Sequence, residues 1–314
     1  MSALPKTPAA TESSLRKALA RCKTPGGYLV AVLRLYEKHS LALGQIAAHA
    51  HDEALYLILH TLELPMDSDP EVLAMELSAA QRAALLEVFT RRIVLHVPAA
   101  YITREAWLGE LKFYVDERVL IPRSYFLEII PGQLDSWLPD PKKVTHVVDV
   151  CTGSACLAIL LAKHFPKAQV DAVDLSPEAL DVSRINLRAH RLSKRVLLHQ
   201  SDVFDSVPAA KYDVILSNPP YEPSAVCDKL PKEFLNEPRL ALDGGLDGLD
   251  IIRKLLLQAR TRLKPHGVVL IEVGALQNAM NKEFAALQPH WLHTDDGSDC
   301  VCIINAARLR AWKI

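Results

Sequence analysis

Apolar positions near the start of the chain recur three or four residues apart, as in Leu29–Tyr36, which predicts helices with one buried face. Ser78 followed by Gln81 and an apolar run fits a capping box at the start of a helix. No comparable strand pattern precedes Trp107. Residues 1–95 are therefore predicted to form a helical domain.

The pattern becomes strand-like between Trp107 and Leu120. Apolar residues there occur in short pieces on either side of the polar sequence Asp116-Glu117-Arg118, which is typical of a turn. This arrangement predicts a β-hairpin. Residues 96–125 are expected to link the helical domain to the rest of the chain.

From about residue 144, short apolar runs alternate with segments of helical length. Strands separated by such helices predict an α/β fold with a doubly wound, mostly parallel sheet in a domain of residues 126–314. Ligands bind sheets of this kind at the carboxyl ends of the strands. The strands are predicted at 147–150, 170–173, 196–198, 214–216, 268–273 and 300–305, and the helices at 156–165, 176–187 and 248–263.

The composition of the chain disfavours several classes of function. Half of the residues are hydrophobic, and 36 Lys and Arg balance 37 Asp and Glu, which argues against a strongly basic DNA-binding protein. No apolar stretch is long enough to span a bilayer, and the polar N-terminus lacks the apolar segment of a secretory signal, so a cytoplasmic protein is expected. Six cysteines without a CxxC pair indicate neither a disulfide framework nor a metal site.

A turn of small residues follows the first strand of the predicted sheet. The segment from Asp149 through Thr152, Gly153 and Ser154 leads directly into a helix, where a ligand can approach backbone N–H groups. It has one glycine where a dinucleotide fingerprint has three, so a nicotinamide oxidoreductase is disfavoured and an ordinary tight turn remains an alternative.

Acidic residues also follow the next two strands. Asp174, with Leu175 beside it, ends the second strand 21 positions after Gly153, a spacing typical of an acid that binds ribose hydroxyls. Asp202 and Val203 follow the third strand, where they are suited to an amino group and to the face of a base. Three acids at three strand ends favour an adenosine-containing cofactor, and the absence of a glycine-rich cradle favours one without phosphates.

The fourth strand ends in Asn218-Pro219-Pro220-Tyr221. The two prolines form a rigid segment whose carbonyls accept but whose nitrogens cannot donate. The Asn218 amide carries one acceptor and two donors, and Tyr221 offers a flat face for packing. Such a segment can hold a planar NH₂ group, although the same residues also occur in ordinary turns.

The order of these acids and this tetrapeptide resembles the S-adenosylmethionine-dependent methyltransferases that modify planar amino groups. The resemblance to the glutamine-amide branch of that family covers nearly the whole chain. It implies a class I, Rossmann-like methyltransferase domain behind a helical substrate-recognition domain and a β-hairpin, with S-adenosylmethionine as cofactor and no metal. Matching stretches are Pro98–Ile102, Ala106-Trp107, Val119–Arg123, Glu237-Pro238, Ala241–Gly245, Asp247-Gly248 and Glu272–Gly274.

Two kinds of enzyme in this branch differ in substrate. Cys151-Thr152-Gly153-Ser154 and Arg123-Ser124 with Glu128 resemble the enzymes that methylate a glutamine of ribosomal protein L-three, rather than those that methylate the Gly-Gly-Gln motif of release factors. The resemblance implies catalysis by residues 218–221. It also implies that Asn218 contacts both cofactor and substrate, and that Pro219, Tyr221, Arg123 and Glu128 contact the substrate.

The resemblance implies a substrate protein that is either free or part of an assembling large subunit, with incidental contact to ribosomal RNA and with neither DNA nor membrane as partner. Residues 1–40 carry seven basic and two acidic residues, and residues 52–76 carry seven acidic residues and no basic one. This polarised domain is expected to select the substrate, although a solvated surface is the commoner explanation of such charges.

Two other functions remain as alternatives. An adenine-amino DNA methyltransferase uses a similar tetrapeptide but needs a basic DNA cleft. A non-catalytic ribosome-assembly module would not need the intact tetrapeptide. One departure from the family is Ala155 in place of the usual glycine, and this alanine is expected to be tolerated with a negative φ.

Overall fold

The computed structural model describes residues 9–44 and 46–313. The first eight residues, part of both the predicted helical domain and the polar N-terminus, lie outside this description. The chain divides into two compact units. One runs through Ala106 and also takes in Pro231–Asn236, and the other comprises Trp107–Leu230 and Glu237–Ile314. The sequence pattern gave no indication that Pro231–Asn236 belongs with the helical unit.

The first unit is helical, as the periodicity predicts. Both hydrogen bonds of the capping box before its fourth helix are present: Gln81 N donates to Ser78 Oγ over 3.2 Å, and Ser78 N donates to Gln81 Oε1 over 3.0 Å. Its core contains Leu15, Val32, Leu57, Leu85 and Phe89. The helices are α1 (Ala9–Leu19), α2 (Pro25–His39), α3 (Ala50–Thr61), α4 (Ala79–Phe89) and α5 (Ala99–Thr103).

A two-stranded hairpin follows, formed by β1 (Glu105–Leu108) and β2 (Leu111–Tyr114). Its turn lies at Gly109 and the next residue; the predicted turn at Asp116–Arg118 also forms, but it lies beyond β2 rather than between the two strands. Gly109 has φ +59°, as short hairpin turns require. Asp116 instead closes a local turn outside the sheet, because its carboxylate accepts from the Arg118 backbone N–H over 3.1 Å.

The second unit contains a sheet that is seven-stranded within the described residues. Its strand order is β5-β4-β3-β6-β7-β9-β8, and β9 is the one strand that runs opposite to the other six. The mostly parallel, doubly wound sheet is therefore confirmed, and all six predicted strands form. The strands are β3 (His146–Val150), β4 (Gln169–Asp174), β5 (Val196–Gln200), β6 (Tyr212–Ser217), β7 (Leu263–Glu272), β8 (His290–Leu292) and β9 (Val301–Asn305).

Helices accompany these strands, and the three predicted from the sequence form. The chain proceeds outward from β3 through β4 to β5 and then returns to place β6 on the other side of β3. A crevice opens at such a reversal, at the carboxyl ends of the strands. The helices of this unit are α6 (Phe126–Gly132), α7 (Cys156–His164), α8 (Pro177–Ala189), α9 (Ser224–Cys227), α10 (Asp250–Arg262), α11 (Gln277–Glu283) and α12 (Ala306–Ala311).

Within the described parts of the chain, none of the helices combines the length and the apolar character needed to cross a membrane.

Candidate active site at the carboxyl edge of the sheet

A cavity of about 850 Å³, counting the part open to solvent, lies where β3, β4 and β6 end. Apolar side chains from several loops and from α10 line it, including Val119, Leu120, Leu175, Val203 and Ile251. The polar groups that line this mostly apolar cavity are therefore its most distinctive features.

Asp174 is one of these polar groups and ends β4. One carboxylate oxygen accepts a hydrogen bond from Gly153 N over 2.8 Å, and the other accepts from Ser176 N over 2.9 Å. Burial raises the pKa of Asp174, although the two backbone donors act in the opposite direction. Each carboxylate oxygen has a second lone pair. The side chain can therefore still accept hydrogen bonds from hydroxyl groups of a ligand.

The loop after β3 adopts an unusual backbone. Cys151, Gly153 and Ala155 all have positive φ angles, of +65°, +53° and +65°. Ala155 therefore does not meet the condition of a negative φ under which an alanine was expected to be tolerated. Ala155 is the residue before α7, and the tight reversal from strand to helix places it in the left-handed region, which costs a residue with a Cβ atom about 1–2 kcal/mol.

Asp149, Thr152 and Ser154 are buried and lie outside the cavity lining. One Asp149 oxygen accepts from Thr152 Oγ1 over 2.6 Å and from Ala158 N over 3.0 Å. The other, Oδ1, has no hydrogen-bond partner among the described residues. Burial raises the pKa of Asp149 to about 7. These three side chains are therefore buried on the side of the loop away from the cavity, whereas Gly153 and Asp174 line the cavity.

Asp202 and Val203 follow β5 and both line the cavity. The Asp202 carboxylate lies 2.7 Å from Lys254 Nζ, so this acid is paired with a cation from α10. Val203 is buried and has φ +53°. Together with the half-exposed Leu175, these residues place one carboxylate and two apolar side chains on the same wall of the cavity.

The tetrapeptide 218–221 follows β6. Asn218 and Pro220 line the cavity, whereas Pro219 is buried and Tyr221 lies outside the lining. Asn218 Nδ2 donates to Glu272 Oε1 over 3.1 Å. One of the two donors of the Asn218 amide is therefore occupied by a carboxylate of the protein itself.

Two glycines allow close packing around Tyr221. Gly248 has φ +82°, and a Cβ atom there would lie 2.3 Å from the Tyr221 carbonyl oxygen. Gly274 has φ +50°, and a Cβ atom there would lie 2.6 Å from Tyr221 Cε2. Burial and the neighbouring Glu272 raise the pKa of Tyr221, so this phenol stays neutral. The family-like stretches that contain these glycines therefore enclose the last residue of the tetrapeptide.

Glu272 received no role from the sequence. It ends β7, is 3% exposed, and accepts from Ser124 Oγ over 2.5 Å and from Tyr125 N over 3.2 Å in addition to Asn218. Burial raises its pKa to about 7. The signal that could have identified it is the one used for Asp174, an acid that ends an apolar strand at the ligand edge of the sheet.

Arg123 and Glu128 lie outside the cavity lining. Arg123 Nη1 lies 2.9 Å from the Glu237 carboxylate, which also accepts from Ile121 N over 3.0 Å. Glu128 accepts from Asp295 N over 3.1 Å. The structure thus connects Arg123 to the segment after the tetrapeptide and Glu128 to the loop before β9, without bringing either side chain into the cavity.

Comparisons with known proteins identify relatives of this chain. The family model of the methyltransferase small domain matches residues 134–246. The ribosomal protein uL3 glutamine methyltransferase of Neisseria gonorrhoeae is 43% identical over 87% of this chain and 91% of that protein. The enzyme of the same name from Bordetella pertussis is 43% identical over 86% and 90%. A methyltransferase structure from Pyrococcus furiosus has 20% identity and a TM-score of 0.46 over 63% of this chain and 90% of that one.

Proposed function

We propose that this chain, which belongs to the family of ribosomal protein uL3 glutamine methyltransferases, transfers the methyl group of S-adenosylmethionine to a glutamine side-chain amide of uL3. The observation that carries the proposal is the Asn218 amide, which lines the cavity and is held by Glu272 at 3.1 Å. An amide fixed in this way suits a planar NH₂ group as the acceptor of the methyl group.

The lining of the cavity fits the cofactor. Asp174 has remaining acceptor capacity for the ribose hydroxyls, and Leu175 and Val203 supply apolar surface for the adenine ring. Asp202 would accept from the adenine amino group, and Asn218 would border the reactive end. Asp149, Thr152, Gly153 and Ser154 would form and support the loop beside it. When bound, S-adenosylmethionine supplies a methyl group on a positively charged sulfur.

The chain's own residues would orient the acceptor. The nitrogen of a glutamine amide is a poor nucleophile because its lone pair is delocalised. The Asn218 oxygen and the Pro219 carbonyl would accept hydrogen bonds from the two N–H groups of the substrate amide, which would polarise the nitrogen and direct it into the cavity. Pro220 keeps this segment rigid, and Tyr221 would pack on the amide plane. Positioning of this kind supplies much of the rate in a displacement reaction. The methylated amide would release its proton to water.

The helical residues 1–95 are the proposed substrate-recognition domain, with residues 96–125 as linker and residues 126–314 as catalytic domain. Its basic first 40 residues and its acidic 52–76 segment suit a basic protein with nearby RNA, in the free or the assembling state. Arg123 and Glu128 would contact the substrate at the mouth of the site. The enzyme would act in the cytoplasm, where ribosomal proteins are made.

A direct assay tests the proposal. The purified chain is incubated with labelled S-adenosylmethionine and, separately, with uL3, a release factor and duplex DNA, and mass spectrometry locates the methyl group. We expect label on a glutamine of uL3. Asn218→Ala should lower kcat by about 100-fold or more while cofactor affinity changes little. Label in the release factor alone, or in DNA, would contradict the substrate assignment.

A further inference from the structure

An asparagine side chain can bind a ligand in a defined way only if the orientation of its amide is fixed. The oxygen accepts and the NH₂ group donates, and exchange of the two ends leaves the shape of the side chain almost unchanged. Whichever group lies beside an asparagine therefore decides which end faces a ligand. For Asn218, the group observed beside Nδ2 is the carboxylate of Glu272.

We propose that Glu272 is a positioning residue for methyl transfer: it holds the NH₂ end of Asn218 and thereby leaves the Asn218 oxygen for the protons of the substrate amide. The inference rests on the proposed function and deepens it. An ionised carboxylate can only accept hydrogen bonds, so it binds the NH₂ end of the amide and repels the oxygen end. The two ends of the amide point in opposite directions, so the oxygen is directed away from Glu272.

Glu272 is itself held firmly. Its Oε2 atom accepts from Ser124 Oγ and Tyr125 N, while Oε1 accepts from Asn218. Because both oxygens are engaged and the side chain is 3% exposed, the carboxylate cannot turn toward solvent. Glu272 at the end of β7 and the two residues just before α6 therefore together fix the side chain of Asn218, which follows β6. The hydrogen bond between Asn218 and Glu272 also contributes to substrate selection. The Asn218 oxygen that it leaves free favours a methyl acceptor whose nitrogen carries protons.

Protonation of Glu272 would weaken this arrangement. A proton on Oε1 would face the NH₂ group of Asn218, and the amide could then turn so that its donors face the substrate. Burial raises the pKa of Glu272 to about 7, while the hydrogen bonds and the nearby Arg123 charge favour the anion. Tyr221 and Cys300, whose own pKa values Glu272 raises, also face it and are neutral. Turnover should therefore rise with pH through about 7.

The test compares Glu272→Gln with the full-length parent chain. A glutamine cannot accept from Asn218, Ser124 and Tyr125 at the same time, because one of its ends donates. We expect kcat to fall by about 10-fold or more, the value of a lost hydrogen bond to a charged group. Affinity for S-adenosylhomocysteine should stay unchanged in calorimetry. The rise of kcat between pH 6 and pH 8 should disappear in the variant.

Glu283→Gln on α11 makes the same chemical change at a half-exposed residue outside the site and should leave kcat unchanged. Unchanged kcat in Glu272→Gln would overturn the inference. So would a decrease that merely follows a loss of cofactor affinity or of folded protein. If the parent chain labels a glutamine in another protein but not in uL3, the substrate assignment fails, and the Glu272 comparison is made on the protein that accepts the label.

Discussion

The Asp174 carboxylate accepts a hydrogen bond from the backbone N–H of Gly153 over 2.8 Å, which joins the end of β4 to the loop after β3. The same carboxylate lines the cavity. One side chain therefore both fixes the loop and offers an acceptor to the ligand. Cofactor binding and loop order should consequently depend on each other.

This relationship predicts the effect of Asp174→Ala. The variant loses the ribose acceptor and the link to Gly153, so the Kd for S-adenosylhomocysteine should rise by about 10- to 100-fold, as expected for hydrogen bonds to a charged group. The value of kcat at saturating cofactor should change little. Isothermal titration calorimetry measures the first quantity. Asp181→Asn, at a half-exposed residue of α8, is the control, and equal affinities of the two variants would contradict the prediction.

Periodicity and position within the fold gave most of the architecture. The apolar runs Val147-Val148 in β3 and Val268–Ile271 in β7 are fully buried, as expected where both faces of a sheet are covered. Since such strands end at one edge, their last residues meet there, and this rule placed Asp174 and Asn218 beside one cavity. The rule applies equally to Glu272, whose role was missed because only a family likeness was noted at that position.

Other features depend on contacts that spacing does not encode. Asp149 obeys the strand-end rule but is buried behind the loop, because its carboxylate is bonded to Thr152 and Ala158. Pro231–Asn236 belongs to the helical unit through Glu233, which pairs with Arg92 some 140 residues earlier in the chain. The strand β8 has only three residues, too few to show an alternation.

The positive φ of Ala155 predicts a gain in stability from Ala155→Gly. The left-handed conformation costs alanine about 1–2 kcal/mol, and the greater freedom of glycine in the unfolded chain offsets about 0.5–1 kcal/mol of this. The free energy of unfolding should therefore rise by about 0.5–1 kcal/mol. Thermal or urea unfolding measures the change. Ala162→Gly within α7 is the matched control and should destabilise by about 1 kcal/mol or more. A similar loss in both variants would refute the strain argument.

A buried cation in the helical unit gives another prediction. Arg92 is fully buried; its Nε lies 2.6 Å from Glu53, its Nη1 lies 3.2 Å from Glu233, and its Nη2 donates to Ala42 O over 2.8 Å. Arg92→Met removes the guanidinium from two buried carboxylates, of which Glu233 keeps a hydrogen bond to His96, and should destabilise by about 3–5 kcal/mol. Urea unfolding measures this loss.

Arg91→Met makes the same change at the neighbouring, less buried residue and should cost about 0.5 kcal/mol or less. Adding Glu53→Gln and Glu233→Gln to Arg92→Met should restore part of the lost stability, since the uncompensated charges are then removed. If the triple variant is no more stable than Arg92→Met, loss of packing rather than buried charge is the cause.

Asp149 predicts how stability changes with pH. Burial raises its pKa to about 7 from the ordinary value of 3.8, so between these values the folded chain binds more protons than the unfolded chain. The stabilising contribution of this proton binding is fully present below about pH 4. As the pH rises toward 7 it is lost, and the free energy of unfolding falls by about 4 kcal/mol in all for this group. Burial also raises the pKa of Glu272, so this residue likewise lowers the free energy of unfolding as the pH rises. Asp149→Asn removes the Asp149 part, because asparagine does not titrate.

The measurement is urea unfolding of the cofactor-free chain at several pH values from 4.5 to 8. We expect the stability of Asp149→Asn relative to the parent chain to improve steadily as the pH rises. Glu272→Gln should show a separate change of the same sign, and the double variant should show the flattest profile. Comparing slopes separates titration from any constant cost of the altered hydrogen bonds to Thr152 and Ala158. Parallel profiles for the parent chain and Asp149→Asn would show that Asp149 is ionised in the folded chain throughout this range.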